Sequence, residues 1–224
     1  MRLIIVRHGE PNYEKDCLTP LGHVQARAAA ERLKDEGIEE VWTSPLGRAR
    51  ETAEYTAKLL GLPTRILEDT QEIGWGSTDG VPIWENGHPW TCADEIMRRG
   101  EPLNDLNWRE HPFFRNNFAV SEVERSARAG DRLLEHLGYA REGLYYRCKN
   151  KTDEQHTYVL FGHGGSGCAI LGHIMNLPFP YLAGTVHMEH TAVTVLRFDR
   201  HPDSIGMPIW ELVSDSRHIH GLSV

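Results

Sequence analysis

The stretch LIIVRHGE, residues 3–10, decides the fold of this chain of 224 residues. The apolar, largely β-branched run at 3–6 predicts a buried strand. Arg7, His8 and Gly9 then follow at the carboxyl end of that strand, where open α/β sheets bind their ligands. A fixed cation, an imidazole that is neutral near pH 7 and a glycine that permits close backbone approach suit attack by nitrogen on a phosphoryl group.

Strands and helices alternate over most of the remaining chain. Thr19-Pro20 and Ser44-Pro45 have the composition of helix starts, with the first residue of each pair as the cap. Further strands are predicted at 40–43, 64–67, 156–161, 191–198 and 208–213. This order predicts an α/β fold, a three-layer α/β/α sandwich with a mostly parallel sheet of about six strands, one of them antiparallel.

Residues 75–120 break the alternation, and no simple period covers them. The tryptophans of this stretch are Trp75, Trp84, Trp90 and Trp108. We interpret the stretch as an inserted cap segment, folded over the sheet of a single domain that spans residues 1–224. The large aromatic residues would stabilise the cap or line the mouth of a pocket. Arg98, Arg99 and Arg115 are candidates for contact with a second anionic group.

Composition limits the classes of partner. A formal net charge of −8 opposes nucleic-acid binding, which needs a basic surface. It does not oppose an anionic substrate, because a local pair of arginines can hold a phosphate. The four cysteines have no CxxC spacing, which predicts reduced thiols in a cytoplasmic protein. No long apolar segment follows the first strand, so we expect neither a signal peptide nor a membrane anchor.

Four chemically capable residues each follow a predicted strand or begin the next element. They are His8, Arg48, Glu72 and His163. The loops at the carboxyl ends of parallel strands lie along one edge of a sheet, so we expect these residues to converge. Glu68 and Asp69 lie close to Glu72 in the chain and are alternatives for the same acid.

Several ordered motifs resemble those of the histidine phosphatase superfamily, in the branch that contains cofactor-dependent phosphoglycerate mutases and fructose-2,6-bisphosphatase. The motifs are Arg7-His8-Gly9-Glu10, Leu18-Thr19-Pro20-Leu21-Gly22 with Gln25-Ala26, Thr43-Ser44-Pro45 with Arg48-Ala49 and Thr52-Ala53, Glu72 with Gly74, and His163-Gly164-Gly165. Each motif alone has low specificity. Together they span most of the chain in the family's order, and the ordered set is highly specific.

The resemblance implies a phosphomonoester phosphatase that acts on a small phosphorylated metabolite. His8 would attack phosphorus and carry a phosphohistidine intermediate. Arg7, Arg48 and His163 would surround the phosphoryl oxygens and neutralise the charge that develops on them. Glu72 would protonate the leaving oxygen and then take a proton from the incoming water. Neither a metal nor another cofactor is implied, and we expect a monomer or homodimer.

The predicted substrate-binding set is Arg7, His8, Asn12, Arg48, His163 and Gly164. Asn12 lies in the stretch that often contacts substrate in the family. The backbone N–H groups of Gly164 and Gly165, near a helix N-terminus, would add donors.

The histidine pairs at 187/190 and 218/220 lack a third ligand in a recognised motif. We interpret them as surface or supporting histidines rather than as metal ligands.

Two other functions stay open. A phosphoglycerate mutase would need extra basic residues for a carboxylate, and the mutases carry a longer segment with a Gly-Trp pair after the histidine motif. Here only residues 11–18 separate that motif from Thr19-Pro20, without such a pair. A non-catalytic module that binds a phosphorylated ligand is the remote alternative, and the intact set of chemical residues argues against it.

Overall fold

The computed structural model describes residues 1–222. Its strands are β1 (Arg2–Arg7), β2 (Pro11–Asn12), β3 (Cys17–Leu18), β4 (Ile38–Thr43), β5 (Thr64–Ile66), β6 (Tyr139–Glu142), β7 (Tyr145–Cys148), β8 (Thr157–Gly162), β9 (Val193–Arg197), β10 (Ile205–Gly206) and β11 (Ile209–Asp215). Its α-helices are α1 (Pro20–Leu33), α2 (Gly47–Leu60), α3 (Pro89–Arg98), α4 (Ala119–His136), α5 (Gly164–Met175) and α6 (Phe179–Thr185).

The main sheet has six strands in the order β11-β9-β1-β8-β4-β5. Strand β9 is antiparallel to both of its neighbours, and the other pairs of strands are parallel. This topology confirms the predicted sheet. Two small sheets, β10-β7-β6 and β2-β3, are additions that the sequence analysis does not predict.

Strand β1 lies in the middle of the three layers. Leu3 and Ile5 belong to the hydrophobic cluster that includes the buried faces of α4 and α5. Ile4 and Val6 belong to a second cluster, with the buried faces of α1 and α2. Successive side chains of a strand point to opposite faces, so an apolar run without polar interruption is what a sheet covered on both sides requires. Burial of each side chain contributes about 1.5–3 kcal/mol.

The parallel order brings three loops side by side. Strand β8 lies between β1 and β4, so the residues that follow these strands, His8, Ser44 and His163, are neighbours at the carboxyl edge of the sheet. The start of α1 is as predicted, because the Thr19 side chain accepts the N–H of Gly22 and Pro20 is in the first turn. The predicted start of α2 is wrong: the helix begins at Gly47.

Residues 75–120 extend from the loop that follows β5 to the start of α4. They include α3, which packs against α6. The four tryptophans have different environments. Trp108 is buried in the hydrophobic cluster that contains Leu3 and Ile5, whereas Trp84 is 37% exposed and stacks on Phe113. Trp75 and Trp90 line a cavity described below. Among residues 1–222, none of the helices combines the length and apolar character needed to span a membrane.

Candidate active site

Backbone hydrogen bonds fix the Arg-His-Gly stretch against β8 and α2. The His8 N–H donates to the Gly162 carbonyl at 2.9 Å. The Gly9 N–H donates to Oγ1 of Thr52 at 3.0 Å, and the Thr52 hydroxyl donates to the Arg48 carbonyl at 2.7 Å. Thr52 therefore couples the loop after β1 to the first turn of α2.

The ring of His8 is held in one tautomer. Its Nδ1–H donates to the Gly9 carbonyl at 2.7 Å, and its Nε2 accepts Nε–H of Arg48 at 3.4 Å. Burial lowers the pKa of His8 to about 3; the hydrogen bond to Gly9 opposes this, and the charges of Arg7 and Arg48 lower the pKa further. The ring is neutral at pH 7, and its free lone pair is on Nε2.

Arg48 is oriented by a residue that the sequence analysis missed. Its Nη1 contacts Oδ1 of Asp16 at 2.5 Å, and Oδ2 of the same carboxylate accepts the Gly47 N–H at 2.6 Å. Arg48 is buried, so this carboxylate offsets part of the cost of removing the guanidinium from water. No motif marks Asp16, which is one acid in a polar loop.

His163 packs directly against His8. The centroids of the two rings are 5.1 Å apart, and Nε2 of His163 is 2.8 Å from Oγ of Ser44. Burial lowers the pKa of His163 well below its ordinary value, and the positive charges nearby act in the same direction. Ser44 is therefore not the cap of α2, which follows Leu46; its hydroxyl positions the His163 ring.

Two buried nitrogen atoms in this cluster have no hydrogen-bond partner in the described part of the chain: Nε of Arg7 and Nδ1 of His163. Another nitrogen of Arg7, Nη1, donates to the Met188 carbonyl at 2.5 Å and anchors the guanidinium. Buried polar groups in native proteins are nearly always paired, so unpaired nitrogen atoms of this kind mark a place for a polar ligand. We call Arg7, His8, Arg48 and His163 the histidine–arginine cluster.

Glu72 lies at the N-terminus of α5. Its carboxylate accepts the N–H groups of Gly165 at 3.2 Å and Ser166 at 2.9 Å, where the helix dipole favours negative charge. A side chain at Gly165 would lie 2.6 Å from Oε1 of Glu72, so glycine is needed for this approach. The expectation that the Gly165 N–H is free for a phosphate is wrong, because Glu72 accepts it.

Gly164 and Asn12 have different surroundings. A methyl group at Gly164 would lie 3.8 Å from Nε of Arg7 and 3.9 Å from Oε2 of Glu72, so this glycine lies between the cation and the acid. The side chain of Asn12 accepts the Lys15 N–H at 3.1 Å in a turn. Asn12 therefore stabilises a turn, a common role of asparagine in loops.

His190 is a further neighbour of His8; the sequence analysis notes it only as part of the pair at 187/190, as a surface or supporting histidine. The two ring centroids are 5.9 Å apart. Burial lowers the pKa of His190 to about 4, and the charge of Arg7 contributes in the same direction. Within residues 1–222, no group of three or more His, Cys, Asp or Glu side chains is arranged to hold a metal ion.

A cavity of about 600 Å³ adjoins the cluster through Arg7, Glu72 and Gly164. We call it the aromatic cavity. The other residues that line it are Tyr13, Trp75, His88, Trp90, Asp94, Cys168, Ala183, Gly184, Thr185, Val186, His187 and Met188. Burial raises the pKa of the Cys168 thiol to about 12, so this cysteine is not a thiolate nucleophile near pH 7.

The other acids and arginines that the sequence analysis proposed do not line the cavity; they are Glu68, Asp69, Arg98, Arg99 and Arg115. Asp69 forms an ion pair with Arg132, and Glu68 is exposed. Of the three acids considered in the sequence analysis, only Glu72 is at the cavity. Arg98 and Arg99 both contact Glu95 on the outer surface of α3, and the expectation of a second anion site there has no support in the geometry.

Comparison with known proteins agrees with the geometry. Residues 3–206 match the sequence profile of the histidine phosphatase superfamily (branch 1). An uncharacterized phosphatase of Bacillus subtilis is 34% identical over 114 residues, which cover 47% of this chain and 58% of that protein. A putative phosphoserine phosphatase of Hydrogenobacter thermophilus is 23% identical over 210 residues, 88% of this chain and 90% of that protein.

Solved structures share the fold. The mycobacterial glucosyl-3-phosphoglycerate phosphatase in complex with inorganic phosphate aligns with a TM-score of 0.63 at 24% identity, over 97% of this chain and 98% of that one. The phosphoserine phosphatase of Entamoeba histolytica aligns with a TM-score of 0.62 at 21% identity, over the same shares. The profile match covers nearly the whole chain, and the chain therefore belongs to branch 1 of the histidine phosphatase superfamily.

Proposed function

We propose that this protein is a phosphomonoester phosphatase that hydrolyses a small phosphorylated metabolite through a phosphohistidine at His8. The observation that carries the proposal is the pair of buried, unpartnered nitrogen atoms, Nε of Arg7 and Nδ1 of His163, in the cluster that contains the neutral His8 ring. With a proton on each of these nitrogens, a phosphoryl group supplies the acceptor oxygens that they lack. The phosphatases named among the relatives give further support.

In the first step, Nε2 of His8 attacks phosphorus in line with the leaving oxygen. The P–N bond forms as the P–O bond to the leaving group breaks, and the leaving oxygen takes a proton from the Glu72 carboxyl. In the second step, a water molecule gives a proton to Glu72 and its oxygen attacks phosphorus. The P–N bond breaks, inorganic phosphate is released, and His8 and Glu72 regain their starting forms.

The remaining members of the cluster stabilise the transferring group. Arg7 and Arg48 neutralise charge on the phosphoryl oxygens. We assign the Ser44 hydroxyl as the donor to Nε2 of His163, which places the proton of the neutral ring on Nδ1, the unpartnered nitrogen. Nδ1–H then donates to a phosphoryl oxygen. Phosphoryl binding replaces the hydrogen bond between Arg48 and Nε2 of His8, because the attacking lone pair must be free.

Mutase activity is the less supported alternative. Relatives include enzymes named as phosphoglycerate mutases. A phosphoglycerate also carries a carboxylate, and among the described residues that line the cavity Arg7 is the sole arginine and no lysine is present. The same panel of esters should therefore be assayed both for released phosphate and for an isomerised product. A module that only binds phosphorylated ligands would give neither.

The proposal is tested by steady-state turnover of p-nitrophenyl phosphate and of a panel of metabolite esters. We expect His8→Asn to lower kcat by about 10³-fold or more, because the nucleophile is removed. His201→Asn is the matched control, since His201 is exposed on a distant loop. Turnover by His8→Asn at the wild-type rate would contradict the proposal.

Metal-independent hydrolysis, a cytoplasmic location and a monomeric or homodimeric state stay predictions. The cluster supplies the positive charge that a metal would otherwise bring to phosphoryl transfer. Activity should therefore survive treatment with a chelator.

A further inference from the structure

The aromatic cavity differs in chemistry from the cluster that it adjoins. Trp75, His88 and Trp90 form a group of three rings in which Trp75 is nearly perpendicular to both partners. The Trp75 and His88 centroids are 4.7 Å apart, and those of His88 and Trp90 are 5.3 Å apart. All three side chains are only half-buried, so they keep surface for a ligand. Such surfaces bind flat rings by stacking and bind cations through the ring quadrupole.

His88 adds a ring to this wall rather than a positive charge. Its Nδ1 accepts the Thr91 hydroxyl at 2.7 Å and the Thr91 N–H at 3.3 Å. The proton of the neutral ring is therefore on Nε2. Burial lowers the pKa of His88, which also favours the neutral ring.

The charged residues that line the cavity are few. Glu72 carries the proton that it gives to the leaving oxygen, so Asp94 is the acid that supplies negative charge, and Arg7 is the single arginine or lysine among the described lining residues. Arg7 already belongs to the histidine–arginine cluster. Asp94 is exposed and forms no ion pair with any part of the described chain within 4 Å. A carboxylate placed beside Asp94 would meet like charge, and no arginine or lysine other than Arg7 lines the described part of the cavity to offset it, which disfavours a carboxylate there.

We propose that the physiological substrate is a phosphate monoester of an alcohol that carries an aromatic ring, uncharged or cationic, and no carboxylate. The ring stacks against Trp75 and Trp90, and Asp94 attracts positive charge or accepts a hydrogen bond from a ring nitrogen. A volume of about 600 Å³ is within the range of cavities that hold molecules of this size. This inference rests on the proposed phosphatase function and adds the class of leaving group.

Four synthetic esters of primary alcohols test the inference because they differ little in leaving-group acidity. They are benzyl, 4-(aminomethyl)benzyl, 4-carboxybenzyl and cyclohexylmethyl phosphate. We expect kcat/KM for the benzyl and aminomethyl esters to exceed that for the carboxybenzyl ester by about tenfold or more. The cyclohexylmethyl ester, which has similar size without a flat ring, should be several-fold poorer than benzyl phosphate.

Variants locate the preference in the cavity. Asp94→Asn should lower the ratio of kcat/KM for the aminomethyl ester to kcat/KM for the carboxybenzyl ester by about fivefold. Glu110→Gln makes the same change of net charge on an exposed residue outside the cavity and should leave that ratio unchanged. Trp90→Ala should make kcat/KM for benzyl phosphate equal to that for cyclohexylmethyl phosphate.

The outcomes separate the two proposals. Hydrolysis of all four esters with equal kcat/KM, or preference for the carboxybenzyl ester, would overturn the inference and leave the phosphatase function in place. Absence of phosphate release from these esters and from p-nitrophenyl phosphate would overturn the proposed function and the inference with it.

Discussion

The histidine–arginine cluster and the aromatic cavity share Arg7 but differ in burial, in charge and in origin. His8, Arg48 and His163 are at most 7% exposed and come from loops or helix starts next to three adjacent strands. The cavity is lined by half-exposed rings and by two acids, and its aromatic wall comes from the irregular stretch 75–120. A rigid sheet edge suits chemistry that every substrate shares, and a separate segment suits the choice among substrates.

The largest effect should come from the cluster. We expect Arg48→Lys to lower kcat/KM by about 10²–10³-fold, because a lysine ammonium cannot reproduce the forked contacts of a guanidinium. Its Asp16 contact and its hydrogen bond to His8 depend on two different nitrogens of Arg48. Steady-state kinetics on p-nitrophenyl phosphate measures the loss. Arg50→Lys, on the exposed side of the same helix turn, is the control, and equal activity of the two variants would contradict this view of the cluster.

The boundary between the two regions is tested at Glu72. We expect Glu72→Gln to lower kcat on alkyl esters by about 10²-fold, and on p-nitrophenyl phosphate much less, because that leaving group needs little protonation. Glu68→Gln is the matched control, since Glu68 is exposed and outside the cavity. Equal losses on both kinds of ester would remove Glu72 from the role of general acid.

Burial of the cluster should also appear in the pH dependence of stability. The pKa of His8 is lowered to about 3 by burial, below the value of about 6.5 for an unfolded histidine. The unfolded chain therefore takes up a proton first as the pH falls. Stability is fully present above pH 6.5 and declines below it, by about 2 kcal/mol for this residue at pH 5.

Urea unfolding at pH 7.5 and pH 5.0 measures this effect. His8→Asn, which removes the titrating ring, should lose about 2 kcal/mol less than wild type between these pH values. His201→Asn should behave as wild type because His201 is exposed. A loss in His8→Asn equal to that of wild type would show that His8 titrates as an exposed histidine does.

Sequence predicted the sheet well because its signals are local. The buried run at 3–6 and the Thr19-Pro20 helix start depend on neighbours in the chain, and the structure has both. The predicted start of α2 is too early. Ser44 is a residue type that often caps helices, but its hydroxyl forms a hydrogen bond with His163, 119 residues away. The hairpin of β6 and β7 was missed, since its four-residue strands are too short to show a clear period.

The site residues that sequence analysis missed act through contacts distant in the chain. Asp16 contacts Arg48 across 32 residues, and Met188 provides a carbonyl to Arg7 across 181. His190 is half of a close histidine pair in the sequence, and no local pattern indicates that it lies beside His8. Composition likewise indicates that the tryptophans of 75–120 are important, but it does not indicate which of them lie in the core and which line the cavity.

The most direct test of the account is the identity of the phosphorylated residue during turnover. Wild-type protein should be mixed rapidly with labelled p-nitrophenyl phosphate, quenched in alkali and digested, and the labelled peptide identified by mass spectrometry. We expect an acid-labile, alkali-stable phosphoryl group on His8, formed also by Trp90→Ala because the Trp90 ring does not take part in the transfer. Label on another residue, or turnover with no label on His8, would contradict it.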